Sequence, residues 1–325
     1  MLTVKAPLSS RTLRILVTGG AGFIGSHVVE AALARGHEVS VLDDLSKGKP
    51  ENLPPGVPLH VVDLRDREAV ARVVGELRPD AVSHQAAQAS VPFSVDNPRV
   101  DAEINVLGSI NLLDACAACA VPRVVFASTG GAIYGEVAEG SRATETDRTT
   151  PESPYGISKL AVEQLLAVYR KHRALNSSVL RYANVYGPRQ DPTGEAGVVA
   201  IFASRALRGE PLHINARRAQ GDAGCIRDYV WVGDVARANL LALEHDGNLA
   251  SCINIGSGEP TETRALASLI LAVAGTGSAL QDAPFRPGDL QRSVLDPTLC
   301  KRLLGELVPL SAGLERTVAW FRERT

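Results

Sequence analysis

Eight residues near the start of the chain, Thr18-Gly19-Gly20-Ala21-Gly22-Phe23-Ile24-Gly25, constrain the fold more than any other stretch. Glycines at 19, 22 and 25 follow a short apolar run, Arg14-Ile15-Leu16-Val17, and open a helical pattern from Gly22 to Arg35 that Gly36 ends. Glycine there permits a tight turn between strand and helix and lets main-chain N–H groups approach a ligand with no Cβ in the way. The helix N-terminus behind them carries partial positive charge, which suits a pyrophosphate. A glycine-rich turn with no ligand has the same composition, so the following strand decides. It ends in Asp43-Asp44, about 20 residues on, where a carboxylate accepts hydrogen bonds from ribose hydroxyls and repels a 2′-phosphate. Asp43 therefore favours NAD over NADP, with Lys47 nearby as an opposing charge. Asp63-Leu64 closes the next strand and is placed to meet the adenine, although Asp63 could equally cap a helix.

Strand and helix signals alternate through the first half. Val39–Leu42, Leu59–Val62, Ala81–His84, Val124–Ala127 and Ser178–Leu180 read as strands. Ala69–Leu77, a long run Val100–Ala120, and Tyr155–Lys171 read as helices. Apolar strands separated by helices mean a parallel sheet covered on both faces, so the expected class is α/β with a Rossmann-type doubly wound sheet. The second half is less regular. Pro188–Gly194 and Ala216–Gly224 read as loops, and Gly197–Leu207, Asp234–Leu243, Thr263–Ala274 and Leu314–Arg322 as helices. The expected division is a dinucleotide-binding domain of residues 1–185 plus 229–257, and a smaller α/β substrate-binding lobe of 186–228 plus 258–325.

Composition narrows the functional classes. A net charge of −2, with both signs interspersed, leaves no basic stripe for nucleic acid. No apolar run reaches the roughly 18–20 residues of a membrane span, and Met1–Leu13 has none of signal-peptide length. Five cysteines at irregular spacing fit a reducing compartment, so a cytoplasmic location is expected. Cys116 and Cys119 form a CxxC pair inside an Ala/Leu-rich helical pattern, with no second pair to complete a zinc site, and no His spacing suggests a metal. His84 ends a strand and reads as a packed core residue, and Trp231 as strand core.

Tyr155 and Lys159 stand four residues apart at the start of a helix, so their side chains share one face. A free tyrosine, with pKa near 10, is too weak a base at neutral pH. A neighbouring ammonium and the positive charge of an oxidised nicotinamide both stabilise the phenolate. That pairing points to redox chemistry at a carbinol carbon.

At this point the chain resembles the extended short-chain dehydrogenase/reductases, the NAD-dependent epimerase/dehydratase family, and within them the UDP-glucose (UDP-galactose) 4-epimerases. The resemblance runs from about Arg14 to the C-terminus. It is carried by Thr18–His27, Leu42–Ser46, His84–Val91, Asn105, Tyr134-Gly135, Tyr155–Lys159, Leu180–Arg189 and Arg227-Asp228-Tyr229-Val230. It implies that Tyr155 takes the proton of the sugar 4-hydroxyl while the C4 hydride passes to tightly held NAD, and that the 4-keto sugar turns and receives hydride on its other face. It also implies a cofactor site lined by Gly19, Gly22, Phe23, Ile24, Gly25, Asp43, Asp44, Leu45, Ser46, Lys47, Gly48, Asp63, Leu64, Gln85, Ala86, Ala87, Gln88, Asn105, Ser128, Tyr155, Lys159 and Tyr182. Gln88, Thr129, Asn184, Arg227, Arg286 and Asp289 would meet the UDP-sugar, with the two arginines on the diphosphate, where a guanidinium fork suits phosphate oxygens.

One departure from the family pattern concerns the tyrosine's hydroxyl partner. A Ser or Thr is usual four residues before the Tyr-Gly that follows strand five, and here that residue is Gly130. Thr129 is expected to supply the hydroxyl instead, with Ser128 as the fallback. Gly130-Gly131-Ala132 offers no extra acid, which favours plain 4-epimerisation over dehydration or decarboxylation. Ser293 falls where epimerases restricted to unsubstituted hexoses carry a bulky tyrosine, leaving room for a 2-N-acetyl group. A 4-epimerase of another UDP sugar such as UDP-glucuronate, and a non-catalytic NAD-binding sensor or scaffold, are the alternatives. The Ala/Leu-rich helices Val100–Ala120 and Ala161–Lys171 could form the family's homodimer interface or cover the sheet of a monomer.

Overall fold

The computed structural model describes residues 11–193, 197–245, 249, 251–286 and 288–324. The first ten residues of the N-terminal stretch and Gly194 lie outside them. In chain order the elements are β1 (Arg14–Thr18), α1 (Phe23–Ala34), β2 (Glu38–Asp43), β3 (Leu59–Val61), α2 (Arg67–Leu77), β4 (Ala81–His84), α3 (Val91–Asp96), α4 (Pro98–Ala102), α5 (Gly108–Ala118) and β5 (Arg123–Thr129). Then follow α6 (Gly130–Ile133), α7 (Pro154–Arg173), β6 (Asn176–Tyr182), β7 (Asn184–Tyr186), α8 (Val198–Leu207), β8 (Leu212–Asn215), β9 (Ile226–Trp231), α9 (Val232–Glu244) and β10 (Cys252–Ile255). The last are β11 (Pro260–Glu262), α10 (Thr263–Ala274), β12 (Leu280–Ala283), β13 (Arg292–Ser293), α11 (Thr298–Leu304) and α12 (Leu310–Arg322).

Seven strands form one sheet in the order β10-β6-β5-β4-β1-β2-β3. The pairs β1–β2, β1–β4, β2–β3 and β4–β5 are parallel, in register from Arg14 opposite Glu38 and Ile15 opposite Ala81. The order reverses next to β1, so the loops after β1 and β4 open the crevice where such sheets bind ligands. The sheet is the Rossmann-type parallel sheet expected.

The chain divides into two compact units. The first comprises Met1–Thr129, Ser153–Arg181 and Val235–Ile253, and the second Gly130–Glu152, Tyr182–Asp234 and Asn254–Thr325. Gly130–Glu152 belongs to the second unit because its main chain pairs there, Val137 N–H with the Arg292 carbonyl at 3.1 Å and Ala143 N–H with the Val294 carbonyl at 2.9 Å. Sequence gives no sign of such distant pairing, and the expected boundary had left that segment in the first domain.

In the first unit Leu16, Leu42, Val70, Val74, Leu112, Leu113, Phe126 and Leu166 form one buried cluster of strand and helix residues. Each such side chain contributes roughly 1.5–3 kcal/mol by leaving water. Helix ends follow local chemistry. Asp66 caps α2 by accepting the Ala69 N–H at 3.0 Å. Ser153 caps α7 by accepting the Gly156 N–H at 3.2 Å, with Pro154 in the first helical turn. Arg170, Lys171, His172 and Arg173 fill the last turn of α7, where positive charge suits the helix dipole. The expected helix Val100–Ala120 proves to be α4, a π-turn over Glu103–Leu107, and α5. A π-turn inserts one extra residue per turn and leaves no composition signal.

In the second unit β9 pairs with β7, β11 and β13, and β8 pairs with β12 in a separate two-stranded ladder. Helices α8, α10 and α12 pack on one another there.

Candidate active site

The glycine turn is built on close approach. Gly19 has φ +66°, and a Cβ there would lie 2.6 Å from the Ala86 nitrogen. A Cβ on Gly25 would lie 2.1 Å from the Gly19 carbonyl oxygen. Both obstacles are main chain and cannot rotate away. Gly22 precedes α1 with no side-chain cap, so the first-turn amides of Phe23, Ile24 and Gly25 have no intrahelical partner. That geometry fits the pyrophosphate of a dinucleotide.

Asp43 ends β2, is 5% exposed, and accepts the Ala21 N–H at 3.0 Å and the Leu45 N–H at 2.9 Å. Burial raises its pKa and the two amides oppose that shift. Asp43 thus ties the glycine turn to the loop after β2 while each oxygen keeps a lone pair for a ribose hydroxyl. In that loop Asp44 accepts from the Ser46 N–H (2.9 Å) and hydroxyl (2.7 Å), Leu45 takes φ +60°, Lys47 is exposed, and Gly48 packs against the Asp43 carboxylate. Asp63 accepts three hydrogen bonds from the Arg65 guanidinium, which hold its carboxyl below the usual range, and Leu64 is buried in the core.

Beyond β4, Gln85 donates to the Asn239 side chain at 2.8 Å and the Ala86 N–H reaches Thr18 Oγ1 at 3.3 Å, with Ala87 half-buried beside them. Gln88 and Asn105, both expected at the ligands, are joined by two hydrogen bonds of 2.9 Å and converge on Asp101. Asp101 is fully buried and also accepts the Ser158 hydroxyl at 2.6 Å. Asn105 sits in the π-turn, which rotates it to face Gln88.

Tyr155 opens α7, its N–H donating to Ser94 Oγ at 3.2 Å. One turn on, the Lys159 ammonium lies 5.9 Å from the Tyr155 ring centroid and 4.8 Å from that of Phe126, and donates to the Ala127 carbonyl at 2.9 Å. Burial pulls the Lys159 pKa down to about 8, while the carboxylates of Asp101 and Glu163 push it back up. His84 bonds Thr18 at 2.8 Å and Ser109 at 2.9 Å, and burial followed by the Lys159 charge lowers its pKa to about 3, so it stays neutral.

Thr129 is the last residue of β5 and 9% exposed. Ser128 turns its hydroxyl to Glu163 at 2.5 Å, and Glu163 in turn pairs with Arg181 at 2.6 and 3.0 Å. In the second unit, a Cβ on Gly130 would lie 2.4 Å from Leu295 Cδ1, so a side chain there requires the Leu295 side chain to turn aside.

Tyr182 ends β6 and is buried. Asn184 on β7 and Arg227 on β9 are brought to neighbouring parallel strands, Asn184 Nδ2 reaching the Asp228 carbonyl at 3.2 Å. Arg286 is exposed, and the Asp289 N–H bonds its carbonyl at 3.2 Å, which sets these two residues on one turn.

Sequence reasoning missed Asp101, Glu163 and Arg181. The signal for Glu163 was present, since it extends the Tyr155–Lys159 spacing by four more residues and places a third polar group on a buried helix face. Asp228 stood in a motif without a role. Its buried carboxylate accepts from the Ser257 N–H and hydroxyl, the Gly258 N–H and the Leu295 N–H, knitting the second unit together.

A Rossmann-type sheet, a glycine turn built for a dinucleotide, and a tyrosine–lysine pair beyond β5 together define an extended short-chain dehydrogenase/reductase. A family model described as the NAD dependent epimerase/dehydratase family matches residues 15–256, and the chain belongs to that family. A UDP-glucose 4-epimerase of Mycolicibacterium smegmatis is 41% identical over 320 residues, spanning 96% of this chain and 100% of that one. Among solved structures, the UDP-glucose 4-epimerase of Thermus thermophilus in complex with NAD is 55% identical with TM-score 0.92, covering 96% of this chain and 100% of that one. That of Thermotoga maritima with UDP-glucose is 46% identical with TM-score 0.90, covering 96% and 99%.

Proposed function

We propose that this protein is an NAD-dependent isomerase that interconverts UDP-glucose and UDP-galactose by inverting C4 of the hexose. Family membership and whole-length similarity to UDP-glucose 4-epimerases support the reaction. The observation that carries the chemistry is the buried Lys159 ammonium stacked one turn beyond Tyr155. Bound NAD supplies a hydride acceptor that restores the hydride to the sugar within one turnover.

Tyr155 takes the proton from the 4-hydroxyl as the 4-keto sugar forms and gives it back after the sugar has turned. Lys159 stabilises the phenolate, because a cation in a water-poor site lowers the cost of the tyrosine's negative charge. Thr129 donates or accepts at the same hydroxyl, a role left open to it because Leu295 fills the space beside Gly130. Gly19, Gly22 and Gly25, with the α1 amides, hold the pyrophosphate and Asp43 the ribose. Asn184, Arg227, Arg286 and Asp289 hold the UDP moiety, and the small, buried Ser293 admits N-acetylhexosamines.

Two further readings concern the protein's setting. Phe93, Val95, Leu107, Ile157 and Val168 are large apolar residues left exposed on or next to α3, α5 and α7, which supports a homodimer through that face. Five free cysteines, and no helix among the described residues long and apolar enough to cross a membrane, support a cytoplasmic setting.

Purified protein given UDP-galactose, without added NAD or reductant, tests the reading. Wild type should produce UDP-glucose, and Tyr155→Phe should lose turnover at least 100-fold while retaining NAD. A Tyr155→Phe variant of undiminished rate would remove Tyr155 from the mechanism.

A further inference from the structure

Tyr155, Lys159 and Glu163 are spaced four apart on α7, so their side chains rise along one face of the helix. Lys159 and Glu163 are 4% and 8% exposed, and both turn to consecutive residues at the end of β5. Lys159 donates to the Ala127 carbonyl at 2.9 Å, and Glu163 accepts the Ser128 hydroxyl at 2.5 Å. Thr129 is the next residue and the last of the strand. Two consecutive turns of the helix therefore grip the two residues before Thr129. The same helix carries Tyr155. Arg181 on β6 pairs with Glu163 at 2.6 and 3.0 Å, which holds the carboxylate in one orientation.

We propose that the Ser128–Glu163 hydrogen bond positions Thr129 against Tyr155, making Ser128 and Glu163 positioning residues for proton transfer at the sugar 4-hydroxyl. This rests on the reading of Thr129 as the partner hydroxyl of Tyr155. The clamp serves the reaction because proton transfer needs the two hydroxyls within hydrogen-bond reach of one oxygen, and a displacement of about 1 Å costs on the order of 100-fold in rate. Thr129 ends its strand immediately before the two glycines that open α6, residues of wide conformational freedom. A fixed side-chain strut from the helix that carries the base supplies that constraint.

The variant that isolates the strut is Ser128→Ala. It removes one hydroxyl and leaves the Glu163–Arg181 pair whole. Glu163→Gln would instead strand a buried guanidinium and destabilise the fold.

The test is a double-mutant cycle with the holoenzyme: Ser128→Ala, Thr129→Val and the pair, each assayed for kcat and KM with UDP-galactose and for bound NAD. Ser128→Ala should lower kcat about 10- to 100-fold, with KM and NAD content unchanged. In the Thr129→Val background, the same change should have no further effect. A Ser128→Ala variant at wild-type kcat, losses that multiply in the pair, or a Ser128→Ala loss confined to NAD content would each overturn the proposal while leaving Thr129 in its role. A Thr129→Val variant at wild-type kcat would instead refute the role of Thr129 and with it the need for a strut.

Discussion

Gly130 follows Thr129 directly, and Gly130→Ala measures what a side chain meets there. A Cβ at 130 would lie 2.4 Å from Leu295 Cδ1 and 2.8 Å from Cδ2. Carbon atoms in good contact stand about 3.5–4.0 Å apart, so the methyl arrives roughly 1 Å too close. Leu295 is 0% exposed, its N–H is held by Asp228 at 3.3 Å, and it bridges Ala143, so its main chain is fixed and the methyl is admitted only if the buried Leu295 side chain turns aside. Overpacking of this kind costs about 1–3 kcal/mol. Gly130 lies outside the left-handed region, so alanine recovers about 0.4–1 kcal/mol from the unfolded chain. Taken at mid-range, the net loss is about 1.3 kcal/mol, or about 3–5 °C in Tm for a unit of this size. Calorimetry on wild type, Gly130→Ala, Leu295→Ala and the double variant is the assay. Leu295→Ala alone should cost about 2–5 kcal/mol, and in that background the Gly130 methyl should cost nothing or stabilise. A Gly130→Ala protein as stable as wild type, or an equal loss in both backgrounds, would refute the steric account. Gly130→Ser, which places a hydroxyl beside Thr129, should not raise turnover.

Two further outcomes follow from the site. Burial holds Lys159 at about 8 in the folded protein against 10.5 in the unfolded chain, so between those values the unfolded state binds the extra proton. The cost of burying this group is therefore fully present below pH 8 and relieved towards pH 10.5, while kcat should fall above pH 8 as the ammonium that supports the phenolate is lost. A kcat–pH profile flat to pH 10 would contradict this. Ser293→Tyr should abolish turnover of UDP-N-acetylglucosamine while sparing UDP-glucose, and competition kinetics with an unchanged preference would remove Ser293 from the specificity pocket.

The fold and the centre of the candidate site are legible in sequence wherever a residue's placement depends on its own backbone or its own helix. Gly19 and Gly25 announce themselves because no other residue fits against Ala86 and the Gly19 carbonyl. Helix α10 begins and ends where the apolar period does, at Thr263 and Ala274. Tyr155 and Lys159 are readable because one helix sets their spacing. What sequence could not reveal depends on partners distant in the chain. Asp101 owes its significance to Gln88, Asn105 and Ser158, and Glu163 to Ser128 and Arg181. Strand β8 (Leu212–Asn215) exists through its pairing with β12, nearly seventy positions on, and sequence analysis assigned neither. Asp228 lay in a recognised motif, yet its four main-chain and hydroxyl donors come from residues 257, 258 and 295.

The central claim is that C4 is inverted by removing and restoring the same hydride inside the site, with Tyr155 moving only the hydroxyl proton. UDP-glucose deuterated at C4, converted in ordinary water and followed by NMR and mass spectrometry, tests it most directly. UDP-galactose should form with deuterium retained at C4 and no solvent hydrogen incorporated there. Loss of the label to water in step with epimerisation would contradict the account.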